Sequence, residues 1–308
     1  MLGVYLFFVL SGLLMSRLLF VKQVDLPTFF ARRISRVVPT FWVFVVAMVF
    51  YAMFFEKIAY RVPLSEAFLT LIFLRTYLPI GADIWADQWP IGHVWSLNVE
   101  EHSYIFLALV ACLCRKSTRS VTTVLLLFSS SAVVLAINMF FISHPIVSGS
   151  PWYLRSEAAS LALLTAAALY VGSPWMPILT FTIAVASCST YAHRGLDRTV
   201  APICLAYTVV YLDQVPDFVK KCLSIPMLRW FGARSFSLYL WQQPFYLAVT
   251  ESKSDALLMG ALAIATGAAS FYTVENPMRL WMNSAWSRYL GKRDEARAGQ
   301  TVGEKSPI

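Results

Sequence analysis

Apolar runs close to 20 residues long recur from one end of this 308-residue chain to the other. That repetition restricts the fold more than any single motif does. About 20 apolar residues in a helix cross roughly 30 Å of hydrocarbon. Inside lipid, the backbone N–H and C=O groups of such a segment must find their partners within the protein. Apolar residues make up 58% of the chain and charged residues 14%, whereas an ordinary soluble domain carries about 25% charge. The pattern predicts an all-α fold, a polytopic transmembrane helical bundle.

The runs fall at 3–21, 36–55, 93–114, 120–142, 155–172, 175–190, 199–213, 234–250 and 255–275, with 175–190 and 199–213 short. A further run, 64–80, carries Glu66 and Arg75. Sidedness follows from the basic residues, which concentrate in cytoplasmic loops. Four clusters hold 18 of the 25 Lys and Arg: Arg17 to Arg36, Arg115 to Arg119, Lys220 to Arg234, and Arg279 to Lys305. Counting 64–80 as a full crossing would place Arg115 to Arg119 outside. Read as a re-entrant or interfacial helix, it leaves every cluster inside. The expectation is about nine spans plus that one helix, with the carboxyl terminus cytoplasmic.

The net charge of +8 therefore reads as membrane orientation, not as a nucleic-acid surface. Cys112, Cys114, Cys188, Cys204 and Cys222 show no metal-ligand spacing and read as small buried hydrophobes. Trp85, Trp89, Trp152, Trp175, Trp230 and Trp281 fall near run ends, as interfacial aromatics do. The stretch "GALAIATGAAS" (260–270) suits close helix packing. Residues 1–283 form the transmembrane domain in this reading. Residues 284–308 are a polar, disordered cytoplasmic tail.

Polar residues inside apolar runs are costly, by several kcal/mol for a carboxylate at bilayer depth, and so point to function. "GHVWSLNVEEHSYIFLAL" (92–109) is the richest stretch. At 3.6 residues per turn, His93, Ser96 and Glu100 share one face. Glu101 and His102 follow on. The competing reading for each is a structural ion pair or hydrogen-bonded helix joint. The loop "FFARRISRVVPT" (29–40) presents Arg32, Arg33 and Arg36 just before a span. Arg32 and Arg36, at i,i+4, can converge on one anion, and guanidinium forks suit phosphate. Plain membrane anchoring is the alternative there. "SFSLYLWQQPFYL" (235–247) puts Gln242 and Gln243 beside Pro244, a candidate kink. "FYTVENPMR" (271–279) puts Glu275 at the inner end of the last run, and Arg155 and Glu157 open another.

Five stretches in order, "GVYLFFVLSGLL" (3–14), "RRISRVVP" (32–39), "HVWSLNVEEHSY" (93–104), "SFSLYLWQQP" (235–244) and "ENP" (275–277), resemble the motifs of the membrane acyltransferase-3 family. Its members are bacterial carbohydrate O-acyltransferases of the cell inner membrane. The resemblance implies transfer of an acyl group, usually acetyl, from acyl-CoA as co-substrate to a hydroxyl of a cell-envelope or exported carbohydrate, free or lipid-linked. It implies that Arg32, Arg33 and Arg36 meet the CoA phosphates. His93 and Glu100 are then the catalytic candidates, and Trp95, Ser96, Glu101, Tyr239, Gln242 and Glu275 line the substrate cavity. No metal is expected, and no nucleic-acid partner; the bilayer is one.

The departures carry their own expectations. Gln242 stands where the family has His, and His102 and Ser103 where it has Gln and Phe. Tyr5 replaces a polar residue. The family also places one more span, bearing the His usually proposed as base, before the opening motif. Adding it would make the crossings even in number, with both ends inside. A truncated product or misplaced start codon is expected on that ground. The alternatives are an inactive member of the same fold and a transporter of a lipid-linked sugar, which would need no CoA.

Overall fold

The computed structural model describes residues 2–54, 64–77, 90–114, 121–143, 155–171, 196–252 and 254–303. Run 175–190, the cluster Arg115 to Arg119, Cys188, Trp85, Trp89, Trp152 and Trp175 lie outside them. Among the described residues the chain is all helical, without a strand. It divides into two compact units. One comprises residues 1–24 and 48–232, the other residues 25–47 and 233–308.

The first unit is organised on its small residues. Helix α1 (Leu2–Ser16) ends in a π-helical turn, Arg17–Val21. α3 (Leu64–Leu71) follows, then a 3₁₀ turn, Gly92–Val94, that leads into α4 (Trp95–Leu113). α5 (Val121–Ser143), α6 (Ser156–Ala159) and α7 (Leu161–Val171) come next, then α8 (Leu196–Val210) and α9 (Asp217–Leu223). α7, "LALLTAAALYV", packs on α1, α5 and α8 together. Ala162, Ala166, Ala167 and Ala168 are fully buried; short side chains let neighbouring backbones approach closely, which drives packing where lipid is as apolar as leucine. Gly12 of α1 marks the tightest approach: a Cβ there would lie 2.2 Å from the Leu163 carbonyl oxygen. Phe8, Leu97, Val99, Tyr104, Leu107 and Leu127 fill the core. The opposite faces of α4 and α5 expose Leu109, Leu113, Leu125, Phe128 and Val133, as lipid-facing helices do.

In the second unit, α2 (Leu26–Phe54) contributes its first 22 residues, up to Ala47. α10 (Pro226–Ser252) contributes its part from Ala233 on. α11 (Ala256–Ser270), a π-helical turn Phe271–Glu275, and α12 (Asn276–Gly303) follow as one continuous helical run. Phe41, Phe44, Val45, Phe236 and Leu240 form its core, with Trp241 edge-on to Phe44 at 5.4 Å. Gly267 sits against the Leu238 backbone, where a Cβ would come within 2.8 Å of Cα. That is the close packing expected of the small-residue run.

Among the described residues four helices are long and apolar enough to cross a membrane: Leu2–Val21, Leu26–Met53, Thr123–Phe140 and Ala256–Arg293. The other expected spans do not take that form among the described residues; α7 (Leu161–Val171) and α8 (Leu196–Val210) each border residues outside that set. The run 155–172 breaks at Ser160 into α6 and α7. α4 and α10 have the length but interrupt their apolar sequence with Glu, His, Arg and Gln. α3 covers Leu64–Leu71 and is followed by turns up to Tyr77, inside the run read as an interfacial or re-entrant helix.

Three further expectations change. The arginine stretch is no loop, because α2 starts at Leu26, ten residues before the expected span. Asp25 explains why: its Oδ2 accepts from the Thr28 N–H at 3.0 Å, capping the helix, and Pro27 lies in the first turn. The tail does not begin at Ser284, because α12 continues through it. Trp286 Nε1 donates to Thr28 Oγ1 at 3.1 Å, and the Trp286 and Tyr289 rings stack at 5.5 Å. Cys112 and Cys222 are exposed and Cys114 and Cys204 partly so. Cys112 shares the outward side of α4 with Leu109 and Leu113.

Candidate functional site

Each unit buries one carboxylate among helices. In the first, Glu100 is 2% exposed. Ser11 Oγ, from α1, donates to Glu100 Oε1 at 2.5 Å, and Tyr104 OH, one turn along α4, donates to the same oxygen. An α1 residue and an α4 residue thus solvate a charge that lipid cannot. His93, in the 3₁₀ turn, Trp95 and Ser96 are buried beside it in sequence, at 6%, 6% and 1% exposure. Trp95 stands edge-on to Phe8 at 6.0 Å. It also lines a cavity of about 20 Å³ with Tyr5, Asn138 and Arg198, room for about one water. Glu101 is half-buried. Asn98, buried too, donates to Thr76 Oγ1 at 3.3 Å.

In the second unit Glu275 is 1% exposed. Its Oε2 accepts from Ser237 Oγ of α10 at 2.6 Å, while its Oε1 has no hydrogen-bond partner among the described residues. Arg36 of α2 and Arg279 of α12 are the positive charges acting on it. The π-helical turn that ends at Glu275 belongs to a class of distortion often found at functional sites. The three arginines separate on the helix: Arg32 is exposed, Arg36 half-buried and Arg33 buried. Arg32 and Arg36 share a face, as i,i+4 residues must. Ser35, between them, donates to Asn283 Oδ1 at 3.1 Å and ties α2 to α12. Arg234 lies over the Phe271 and Tyr272 rings, at 5.0 and 4.8 Å, and donates to the Tyr272 hydroxyl. Tyr239 is half-buried and Gln242 exposed. Outside the spans, Asp25 has its carboxyl held below the usual value, chiefly by the Thr28 backbone N–H, with Arg32 a smaller cause.

Of the residues singled out from sequence, His93, Trp95, Ser96, Glu100 and Glu101 fall in the first unit. Arg32, Arg33, Arg36, Tyr239, Gln242 and Glu275 fall in the second. Sequence reasoning missed Ser11, Tyr104 and Ser237, the hydroxyls that hold the two carboxylates. Tyr104 was findable, since it lies four residues from Glu100. Ser11 and Ser237 lie 89 and 38 residues from their carboxylates, and no local signal links them. No group of three or more His, Cys, Asp or Glu able to hold a metal exists among the described residues.

Apolar helices that bury two hydroxyl-bonded carboxylates, with an arginine face on α2, make a multi-pass helical membrane protein. The chain belongs to the acyltransferase domain family, whose pattern it matches over residues 1–275. It is similar to the peptidoglycan O-acetyltransferase OatA of Listeria monocytogenes, 24% identical over 317 residues, covering 90% of this chain and 51% of that one. The putative peptidoglycan O-acetyltransferase YrhL of Bacillus subtilis is 23% identical over 331 residues, covering 93% and 51%. The O-acetyltransferase OatA of Staphylococcus aureus is 22% identical over 282 residues, covering 81% and 46%. The chain therefore spans about half the length of these curated relatives. No solved structure matches it.

Proposed function

We propose that this chain is a membrane O-acyltransferase that moves an acetyl group from acetyl-CoA to a hydroxyl of a cell-envelope carbohydrate, with peptidoglycan the first candidate acceptor. The observation that carries this reading is the family match across residues 1–275, which includes four of the motif stretches and Glu275, the first residue of the fifth. The relatives' named substrate supports the choice of acceptor.

Arg32 and Arg36, on one face of α2, bind the phosphates of the coenzyme in this reading. Arg33, buried on the same helix, is the third arginine assigned to those phosphates. Acyl transfer to a hydroxyl needs a general base on the acceptor oxygen and donors for the developing oxyanion. His93 and Glu100 are the residues assigned to the acid–base work. Trp95, Ser96, Glu101, Tyr239, Gln242 and Glu275 are assigned to substrate contacts. The acceptor enters as a free or lipid-linked glycan. Nine crossings of a bacterial inner membrane with a cytoplasmic carboxyl terminus complete the proposal, on the strength of the 18 clustered Lys and Arg. Reporter fusions at 220–229 and after Arg293 check that sidedness.

The test is acetyl transfer from labelled acetyl-CoA to peptidoglycan fragments by the detergent-purified chain. Arg32→Ala with Arg36→Ala removes two charge-assisted contacts and should raise KM for acetyl-CoA about 100-fold. Glu100→Gln should lower kcat and leave that KM unchanged. Wild-type kinetics in the arginine double variant would overturn the donor assignment.

A further inference from the structure

Two residues turn a helix by roughly 200°, so His102 leaves α4 on the side opposite Glu100. There His102 Nδ1 and Ser156 Oγ stand 2.8 Å apart, joining residues 54 positions apart in the chain. The pair is held from several sides. Tyr77 packs against the imidazole at 5.7 Å, accepts from the Ser156 backbone N–H at 3.1 Å, and donates to Glu157 Oε2 at 2.7 Å. The Arg155 guanidinium covers the Tyr77 ring at 5.7 Å. The Phe73 backbone hydrogen-bonds the same imidazole. Phe73 has φ of +60°, a left-handed conformation that a bulky residue adopts only when its surroundings enforce it.

In the tautomer that leaves Nδ1 without a proton, the imidazole accepts the Ser156 Oγ–H there, and the Tyr77 ring packed on it fixes its plane. Nucleophile, base and a third group that orients the base are the parts of an activated hydroxyl. They open on a cavity of about 430 Å³, which both side chains line together with the apolar walls Phe106, Leu126, Val133 and Ile137. That open space, with Ser129, Ser130 and Glu157 at its polar side, admits a short or apolar acyl chain.

We propose that Ser156 is an acyl-accepting nucleophile and His102 its general base, and that the cavity between α4, α5 and α7 takes an activated acyl group, a thioester or ester. The inference deepens the acyltransferase reading and rests on it. Ser156 Oγ attacks the acyl carbon, a C–O bond forms, and the C–S or C–O bond to the leaving group breaks. The Oγ proton passes to His102 Nδ1 and on to the departing thiolate or alkoxide. In the second half an acceptor hydroxyl gives its proton to His102 and attacks the acyl-serine carbon. The bond to Oγ breaks, and Oγ recovers the proton.

Para-nitrophenyl acetate, which needs no coenzyme site, probes the pair in the full detergent-purified chain. A burst of nitrophenolate is expected, with an acetyl group mapped by mass spectrometry to the peptide containing Ser156. S156A should abolish burst and label, S156C should restore a label, now on sulfur, and H102Q should slow the burst about 100-fold. No label on folded wild type, or a label elsewhere that survives S156A, overturns the proposal. Transfer from acetyl-CoA to glycan is measured in parallel. Undiminished transfer by S156A overturns the inference and leaves the acyltransferase reading intact. Acyl-serine formation without glycan transfer supports the inference and overturns that reading.

Discussion

The two buried carboxylates solve the same physical problem in different ways. Glu100 sits where two hydroxyls, from Ser11 and Tyr104, converge on one oxygen. Glu275 has one hydroxyl, from Ser237, and two arginines acting on it, with its second oxygen unpartnered. Two hydrogen bonds hold the first group, whereas the second has one hydrogen bond and two arginine charges acting on it. A site of the first kind holds its geometry tightly. A site of the second kind keeps an acceptor atom in reserve next to the arginine face of α2.

The strongest test of this contrast is deletion of each carboxylate. Glu100→Ala leaves two buried hydroxyls without their acceptor, and about 3 kcal/mol of stability should be lost. Glu275→Ala strands one hydroxyl, for about 1.5 kcal/mol. Thermal unfolding in detergent micelles measures both, and equal losses would break the comparison.

Next in size is the helix packing. Gly12→Ala drives a methyl into the backbone of α7 and should cost about 2 kcal/mol. Gly267→Ala meets the Leu238 backbone at 2.8 Å, a looser approach than the 2.2 Å at Gly12, and should cost less. Smaller still are the hydroxyl deletions. Ser237→Ala, removing the one hydroxyl on Glu275, should cost about 1.5 kcal/mol, and Ser11→Ala, with Tyr104 still in place, about 1 kcal/mol. Here the second unit is the more sensitive, the reverse of the first test.

An exposed cap gives an effect as small as that of Ser11→Ala. Asp25→Ala should cost about 1 kcal/mol at neutral pH. The Asp25 carboxyl has a folded-state pKa below the ordinary aspartate value, so the unfolded chain binds the proton more readily. Its contribution is complete above that value and fades as pH falls through the lowered one. Melting curves of wild type and D25A should converge in strong acid.

Much of this was legible in the chain because lipid makes charge conspicuous. A glutamate within an apolar run needs an explanation, and Glu100, Glu275 and the arginine stretch all proved to be held in helices. Helix lengths were harder to read. The start of α2 had a local signal, Asp25 two residues before Pro27, but the apolar run begins ten residues later and hydropathy alone follows the run. The break at Ser160 is an outcome of packing, as the alanines of α7 let neighbouring helices close over it. The tail from Ser284 reads as polar, yet Asn283 and Trp286 anchor it to α2 through Ser35 and Thr28. The pairing of His102 with Ser156 joins distant segments, and no periodicity could have shown it.

The π-helical turn at Phe271–Glu275 makes the orientation of Glu275 depend on how many residues precede it. Removing a single residue from that turn would let it tighten to ordinary helical winding. Everything beyond would then swing by roughly 100°, and the carboxylate would turn away from Ser237 with every side chain type unchanged. The segment from Ala256 to Val274 should therefore tolerate many substitutions and almost no insertions or deletions.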